Sequence, residues 1–328
     1  MSEFDLIERY FTRPARQAAL GVGDDCALLQ PRPGTQMAIS TDMLVEGRHF
    51  FANVDPAALG HKALAVNLSD LAACGAKPLA FTLALALPKV DEPWLASFSR
   101  GLFALADLYD SELVGGDTTQ GPLNICITVF GEVPVVNGKS QALLRSGARA
   151  GDDIYVSGTL GDARLALEAR RGTIALPAAL FEHVRGRLER PSPRVALGQA
   201  LRGVASAAID VSDGLLGDLR HVLRASRVGA TIDTSCAIEL IAASAHPDWA
   251  TGIISLERQL EYSLAGGDDY ELAFTAPVSA RAAVQAAARL ADTPATRIGC
   301  IEKTPGLRLI DAQGKALPCG YTAFDHFA

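Results

Sequence analysis

Strand-like and helix-like segments alternate along this chain, and acidic residues collect at the junctions, bracketed by glycine or hydroxyl side chains. The clusters are Gly21-Val22-Gly23-Asp24-Asp25, Ser40-Thr41-Asp42, Asn67-Leu68-Ser69-Asp70, Gly115-Gly116-Asp117-Thr118-Thr119, Asp210-Val211-Ser212-Asp213-Gly214 and Gly266-Gly267-Asp268-Asp269. Alternation of this kind restricts the chain to mixed α and β architectures, in which sheets and helices bury one another's apolar faces. The acidic clusters point to a magnesium nucleotide site. Mg²⁺ prefers hard oxygen ligands, takes one or two carboxylates per ion, and completes its shell with water and substrate phosphates.

Residues 37–41 and 79–87 read as strands. Between them a helix is expected to run from Asp55-Pro56 toward Gly75, with punctuation at both ends. Asp55 suits the cap, Pro56 the first helical position and Gly75 the residue beyond the last turn. A second helix over 94–109, a strand into Gly115-Gly116 and another strand over 123–133 complete an α+β half with a mixed or antiparallel sheet. Turn-rich composition between Pro134 and Asp153 marks a boundary, giving an N-terminal domain at 1–137 and a C-terminal domain at 138–328. In the second domain, 154–157 and 205–210 read as strands and 160–171 and 178–188 as helices. Residues 215–226 form a helix with Leu215, Leu219, Val222 and Leu223 on one face. The whole is a two-domain α+β and α/β chain.

With 328 residues, 49% hydrophobic and 20% charged, the chain can bury a sizeable core in two domains. A net charge of −7 and the absence of basic runs with interleaved aromatics argue against a nucleic-acid partner. An anionic ligand therefore requires metal ions to offset its charge. The first residues mix acids with apolar side chains, unlike a signal peptide, and the apolar stretch 79–88 is too short to cross a bilayer, so a cytoplasmic protein without a membrane partner is expected. Six cysteines, Cys26, Cys74, Cys126, Cys236, Cys300 and Cys319, contain no Cys-x-x-Cys pair and read as reduced thiols that mostly fill core.

Each cluster also has a plainer reading. Glycine and aspartate dominate turns without any ligand, which is the default for Asp24-Asp25. Asp42, read at a strand end, serves as a cap or as a ligand. Asp70 interrupts an apolar helical stretch, where a buried carboxylate must be paired, hydrogen-bonded or metal-bound; the alternative is a solvent-facing position. Asp117 follows two glycines that let backbone approach a ligand, or else it closes a polar turn. Asp210 to Gly214 lies where a strand hands over to a helix; Ser212 there caps a helix whose N-terminal N–H groups can bind phosphate oxygens, or Ser212 and Asp213 are ordinary caps that need no ligand. Asn137-Gly138-Lys139-Ser140 imitates the end of a phosphate-binding loop, but Val133 stands where that loop requires glycine, so a hairpin is expected. His49 draws interest only from its neighbours, because the histidines lack zinc-site spacing.

In order, these motifs resemble those of the thiamine-monophosphate kinase family, within the superfamily of aminoimidazole ribonucleotide synthetase and selenophosphate synthetase. The resemblance spans nearly the whole chain. It rests on Gly21 to Ala27, Ser40 to Phe50, Ala65 to Ala73, Gly115 to Thr119, Arg145 to Ala148, Asp210 to Gly214, Gly266 to Leu272 and Gly320 to Phe327; Ser40 to Phe50 distinguishes the kinases from their relatives. The resemblance implies ATP-dependent phosphorylation of thiamine monophosphate to thiamine diphosphate by direct in-line transfer, with several Mg²⁺ ions and no general base. It implies a ferredoxin-like N-terminal domain whose sheet pairs across a homodimer, followed by an α/β domain. By matching position, Asp25, Ser40, Thr41, Asp42, Asp70, Asp117, Asp210 and Asp213 are the expected metal ligands. Tyr109, Gly116, Asp117, Arg145 and Ser212 are the expected ATP contacts, and His49, Asp268 and Tyr321 the expected substrate contacts. A monovalent cation is a further candidate cofactor.

The chain departs from the family pattern twice. Asp268 replaces the first acid of the usual Gly-Gly-Glu-Asp-Tyr-Glu, so Asp269 is an alternative. Thr322-Ala323-Phe324 intervenes before Asp325, so Phe324 is an alternative to Tyr321. The competing readings are a cyclo-ligase-like enzyme of the same superfamily and a non-catalytic nucleotide- or metal-binding protein.

Overall fold

The computed structural model describes residues 2–250 and 252–321. The chain divides into two compact units, the first running to Leu71 and resuming over Ala76–Gln141, the second taking Ala72–Gly75 and continuing from Ala142.

The first unit contains α1 (Glu3–Tyr10), β1 (Thr35–Val45), α2 (Pro56–Ala73), β2 (Lys77–Leu87), α3 (Glu92–Leu108), β3 (Glu112–Gln120), β4 (Asn124–Val136) and β5 (Lys139–Ser140). Its sheet has the order β1-β4-β2-β3, with β5 paired to β4. All these pairs are antiparallel except β2 with β3. The expected punctuation of α2 is present. The Asp55 carboxylate accepts hydrogen bonds from the N–H groups of Ala57 and Ala58, both at 3.2 Å, and beyond the last turn Ala76 N–H returns to the Leu71 carbonyl at 2.7 Å. Two glycines let α2 and α3 pack backbone to backbone: a Cβ on Gly60 would stand 2.1 Å from the Phe98 carbonyl oxygen, and one on Gly101 1.9 Å from that of Ala57. Asn137 and Gly138, at φ of 51° and 73°, join Val136 to Lys139 in a two-residue hairpin, so this segment is a turn and not a phosphate loop.

Two buried glutamates staple the long N-terminal connection to this sheet. Glu112 accepts hydrogen bonds from the successive N–H groups of Arg16, Gln17 and Ala18 at 2.5, 2.9 and 3.0 Å, and Glu132 accepts from both the N–H and Nε of Arg32. Each such bond satisfies a charge that would be costly to bury alone.

The second unit contains β6 (Asp153–Ser157), α4 (Asp162–Arg170), α5 (Ala178–Glu189), α6 (Val195–Ala200), β7 (Ala207–Val211), α7 (Leu215–Ser226), β8 (Gly229–Asp233), α8 (Thr234–Ala237), α9 (Leu256–Ala265), β9 (Glu271–Ala276), α10 (Arg281–Leu290), β10 (Ala295–Glu302), β11 (Gly306–Ile310) and β12 (Ala316–Leu317). The strands form one mixed sheet of order β12-β11-β8-β10-β6-β9-β7. Its core gathers Ile154, Val156, Ile209 and Val211 from the strands with Leu215, Leu219, Val222 and Leu223 from α7, the apolar face read from the sequence. The expectation of a mixed α and β chain with two sheets holds.

The cysteines depart from expectation. All six are free, but Cys26, Cys300 and Cys319 are exposed and the other three only partly buried. The core is built from leucine, alanine, valine, isoleucine and phenylalanine, leaving the thiols at its margins. No helix among the described residues is long and apolar enough to cross a membrane.

Candidate active site: acidic junctions of the two units

In the first unit Asp42 lies inside β1 with Ser40 and Thr41, not beyond the strand's end, because the ladder with β4 continues through Asp42 to Val45. Neighbouring α2 carries Asn67 and Asp70 against this strand. Ser40 Oγ donates to Asp70 Oδ2 at 2.5 Å, Asp42 N–H donates to Asn67 Oδ1 at 2.9 Å, and Asn67 Nδ2 donates back to the Ala63 carbonyl at 2.9 Å. Two acidic clusters that are distant in sequence therefore meet. Asp70 is not on a solvent face: nearly all of α2 is buried, and Asp70 is half-buried at its edge.

Gly115, Gly116 and Asp117 likewise sit within β3, where register with β2 pairs Gly116 with Leu83 and Asp117 with Ala84. Gly116 adopts φ +150°, and a Cβ there would lie 1.8 Å from the Leu83 carbonyl oxygen. Only glycine fits. The motif opens on a cavity of about 690 Å³ whose lining includes Asp24, Asp25, Gly116 and Asp117, with Phe4, Ile7 and Phe11 on another side. Asp24, Asp25 and Asp117, together with Glu3 and Glu8 of α1, thus line one space that also has apolar walls. His49 is half-buried and its Nδ1 accepts the Val45 N–H at 2.9 Å, which leaves the ring proton of the neutral imidazole on Nε2. Tyr109 caps the end of α3, its N–H donating to the Leu105 carbonyl at 3.2 Å, and it is not part of the cavity lining at Gly116 and Asp117.

In the second unit Asp210 is buried near the end of β7, and Ser212 and Asp213 lead into α7. An acid that sequence reasoning missed organises this junction. The buried Asp218 Oδ2 accepts the N–H groups of Ser212 and Asp213 at 3.0 and 3.1 Å. Burial first, and then the nearby Asp213 carboxylate, push Asp218 up to about 7, against the opposing pull of those two hydrogen bonds. Its only sequence signal is an acid in the first turn of a helix that follows Ser-Asp-Gly.

The same junction receives the Gly266-Gly267-Asp268-Asp269 loop. Asp268 N–H donates to the Ser212 carbonyl at 2.8 Å, and Tyr270 N–H donates to that of Val211 at 2.8 Å. Of the two candidate acids, Asp268 is partly exposed, with Tyr270 OH donating to its Oδ1 at 3.2 Å. Asp269 is turned inward and fully buried, accepting the Gly161 N–H at 3.0 and 3.2 Å. Burial raises its carboxyl well above the usual range while Arg187 pulls the other way.

Arg145 is exposed, in a segment tied down by Ser226. Ser226 Oγ donates to the Arg145 carbonyl at 3.2 Å and accepts from the N–H groups of Gly147 and Ala148 at 3.1 Å. Tyr321 packs on the core of this unit, and burial, then Glu257 and Glu261, raise its hydroxyl pKa. Phe324 lies outside the described residues.

Among the described residues, no three histidine, cysteine, aspartate or glutamate side chains converge into a metal cage. The donors that line the cavity and the β1–α2 contact are carboxylate and hydroxyl oxygens. Such a set suits Mg²⁺, which recruits water and phosphate for most of its shell, and does not suit zinc.

Residues 23–133 match the family described as AIR synthase related protein, N-terminal domain, and residues 149–312 match its C-terminal domain. A thiamine-monophosphate kinase of Salmonella typhimurium is 46% identical over 332 residues, spanning 99% of this chain and 98% of that protein. The chain belongs to the thiamine-monophosphate kinase family. Among solved kinases of the family, that of Stenotrophomonas maltophilia K279a superposes with a TM-score of 0.82 at 44% identity, covering 96% of each chain. AaThiL complexed with AMPPCP and TMP gives a TM-score of 0.75 at 28% identity, covering 91% of this chain and 89% of that one. The two matched domains include Asp24 and Asp25, Asp117, Asp210 and Asp268, whereas α1, Arg145 and Tyr321 fall outside them.

Proposed function

We propose that this chain transfers the γ-phosphoryl group of ATP to thiamine monophosphate, forming thiamine diphosphate and ADP. What carries the reading is near-full-length identity to thiamine-monophosphate kinases, supported by a solved relative that holds an ATP analogue together with TMP.

Both reactants are phosphate anions, so repulsion between them is the main obstacle and an already ionised phosphate oxygen needs no general base. The chain's part is to place the two reactants in line and to hold donors around them. Asp25, Ser40, Thr41, Asp42, Asp70, Asp117, Asp210 and Asp213 are assigned as the donors for several Mg²⁺ ions. When bound, Mg²⁺ supplies charge neutralisation between the facing phosphates. Gly116, whose missing Cβ lets β3 lie against Leu83 of β2, is assigned to ATP together with Asp117, Tyr109, Arg145 and Ser212. Arg145 adds positive charge against phosphate oxygens. His49, Asp268 and Tyr321 are assigned to thiamine monophosphate, with Tyr321 as the ring that stacks on the cationic heterocycle. A monovalent cation remains an assigned candidate beside Mg²⁺, and the setting proposed is cytoplasmic.

The proposed assembly is a homodimer in which the ferredoxin-like N-terminal domain, 1–137, pairs its sheet with a second copy, while 138–328 forms the C-terminal domain. Edge strand β1 supports this: it is eleven residues long and exposes Ile39 and Met43 at 61% and 56%. A long apolar edge is an aggregation hazard unless covered.

The test is incubation of purified protein with ATP, Mg²⁺ and thiamine monophosphate, following thiamine diphosphate and ADP by chromatography against a control without thiamine monophosphate. Equal amounts of both products are expected. ADP without thiamine diphosphate transfers the assignment to another acceptor of the superfamily, and no turnover favours a binding protein.

A further inference from the structure

The loop that carries Asp268 has an unusual backbone. Asp268 and Tyr270, neither of them glycine, adopt left-handed conformations at φ +62° and +52° on either side of Asp269. Such residues persist only where their surroundings over-determine them. On one side the loop is held by β7, through the bonds from Asp268 N–H to Ser212 and from Tyr270 N–H to Val211. On the other side it rests on a buried ionic layer centred on the last acid of the same motif, Glu271, to which the sequence reading assigned no role.

Glu271 is the centre of that layer and is fully buried. Its Oε2 accepts Ser157 Oγ at 2.6 Å and Arg194 Nε at 2.6 Å, and its Oε1 accepts Arg187 Nη2 at 2.8 Å as well as Arg194 Nη2. The same Nη2 of Arg187 lies 3.2 Å from the Asp269 carbonyl oxygen and 3.3 Å from that of Thr159. Arg187, from α5, therefore bridges the carbonyl between the two left-handed residues and the carboxylate at the start of β9. The layer is closely fitted: a Cβ on Gly158 would stand 2.2 Å from Glu271 Oε1.

We propose that Arg187 is a positioning residue for Asp268, fixing the left-handed backbone of 268–270 so that the Asp268 carboxylate is presented to the phosphate-acceptor substrate. This rests on the reading of Asp268 as a thiamine monophosphate contact, and it concerns a residue outside the assigned metal and ATP contacts. Glu271 keeps Arg194 and Ser157 as partners when Arg187 is removed, so the fold can survive the change.

The experiment compares wild type, Arg187→Met, Arg187→Lys and Asp268→Asn by steady-state kinetics, together with hydrogen exchange of peptides spanning 266–272. For Arg187→Met, the KM for thiamine monophosphate is expected to rise at least about tenfold while the KM for ATP stays within about twofold, with Arg187→Lys intermediate; a one-sided loss of this kind is the mark of acceptor binding. Exchange at the amides of 268–270 is expected to accelerate in the same order. Unchanged KM values, or equal rises for both substrates, in a folded Arg187→Met protein would overturn the positioning role. Unchanged exchange at 268–270 would overturn the clamp itself, whatever the kinetics. If Asp268→Asn leaves the KM for thiamine monophosphate unaltered, the assignment of Asp268 fails, and the exchange measurement still decides whether Arg187 holds the loop.

Discussion

Two stretches of this chain carry Gly-Gly-Asp, and the structure uses them in opposite ways. Gly115-Gly116-Asp117 is extended within β3, where the missing side chain of Gly116 lets the strand lie against β2 and leaves Asp117 exposed beside a cavity. Gly266-Gly267-Asp268 is a contorted turn braced between the β7 junction and the buried layer of Asp269, Glu271 and Arg187. The first motif is supported by sheet pairing, the second by buried charge. A carboxylate's role follows from what surrounds it, and identical tripeptides do not have identical surroundings.

The largest effect that tests this contrast falls on the open motif. Asp117→Asn, and likewise Asp42→Asn, is expected to lower turnover by at least about 100-fold, the upper range for perturbing even the outer partners of a metal. Thermal unfolding should stay near wild type, since exposed or half-buried carboxylates add little to folding. Wild-type turnover in Asp42→Asn would remove it from the metal ligands.

Beneath the second junction the effect should appear in stability and depend on pH. Asp218 is raised to about 7 from an ordinary value of 3.8. Between those values the unfolded chain is ionised while the folded protein holds its proton, so the folded state binds more protons and stability falls as pH rises. The advantage is fully present below the unfolded value and is lost as pH climbs through about 7, at up to about 1.4 kcal/mol per pH unit. Urea unfolding of metal-free protein at pH 5 and pH 7 should show a drop that Asp218→Asn reduces. An equal drop in both proteins would assign the dependence elsewhere.

Gly116→Ala separates backbone approach from charge. The added methyl meets the Leu83 carbonyl, so a loss of about 1–3 kcal/mol, typical of overpacking, is expected in denaturant unfolding. The smallest effect is Ser226→Ala, which releases the Arg145 segment. Roughly 1 kcal/mol of stability should go with its hydrogen bonds, accompanied by a modest rise in the KM for ATP.

Helix α2 was legible residue by residue, because Asp55, Pro56 and Gly75 act within one or two turns of their own positions. The Asn137-Gly138 hairpin was legible for the same reason. The ends of β1 and β3 were not, since Asp42 to Val45 and Asp117 are held in strands by partners from β4 and β2 that local propensity does not describe. Asp218 and Arg187 were missed, and Glu271 was read as part of its motif without a role, because nothing in their immediate sequence marks burial. Their roles arise from groups five to more than eighty positions away.

By itself, then, the sequence determined the alternation of elements, the acidic junctions and, through their order, the family. Only the tertiary structure decided which acids face a cavity and which hold backbone. It set Ser40 on Asp70, turned Asp269 inward while leaving Asp268 partly exposed, and put Arg187 against the backbone of the 266–270 loop. The physical reason is that a carboxylate's energy depends on its distance from water, N–H groups and opposite charge, and folding sets those distances between residues remote in sequence.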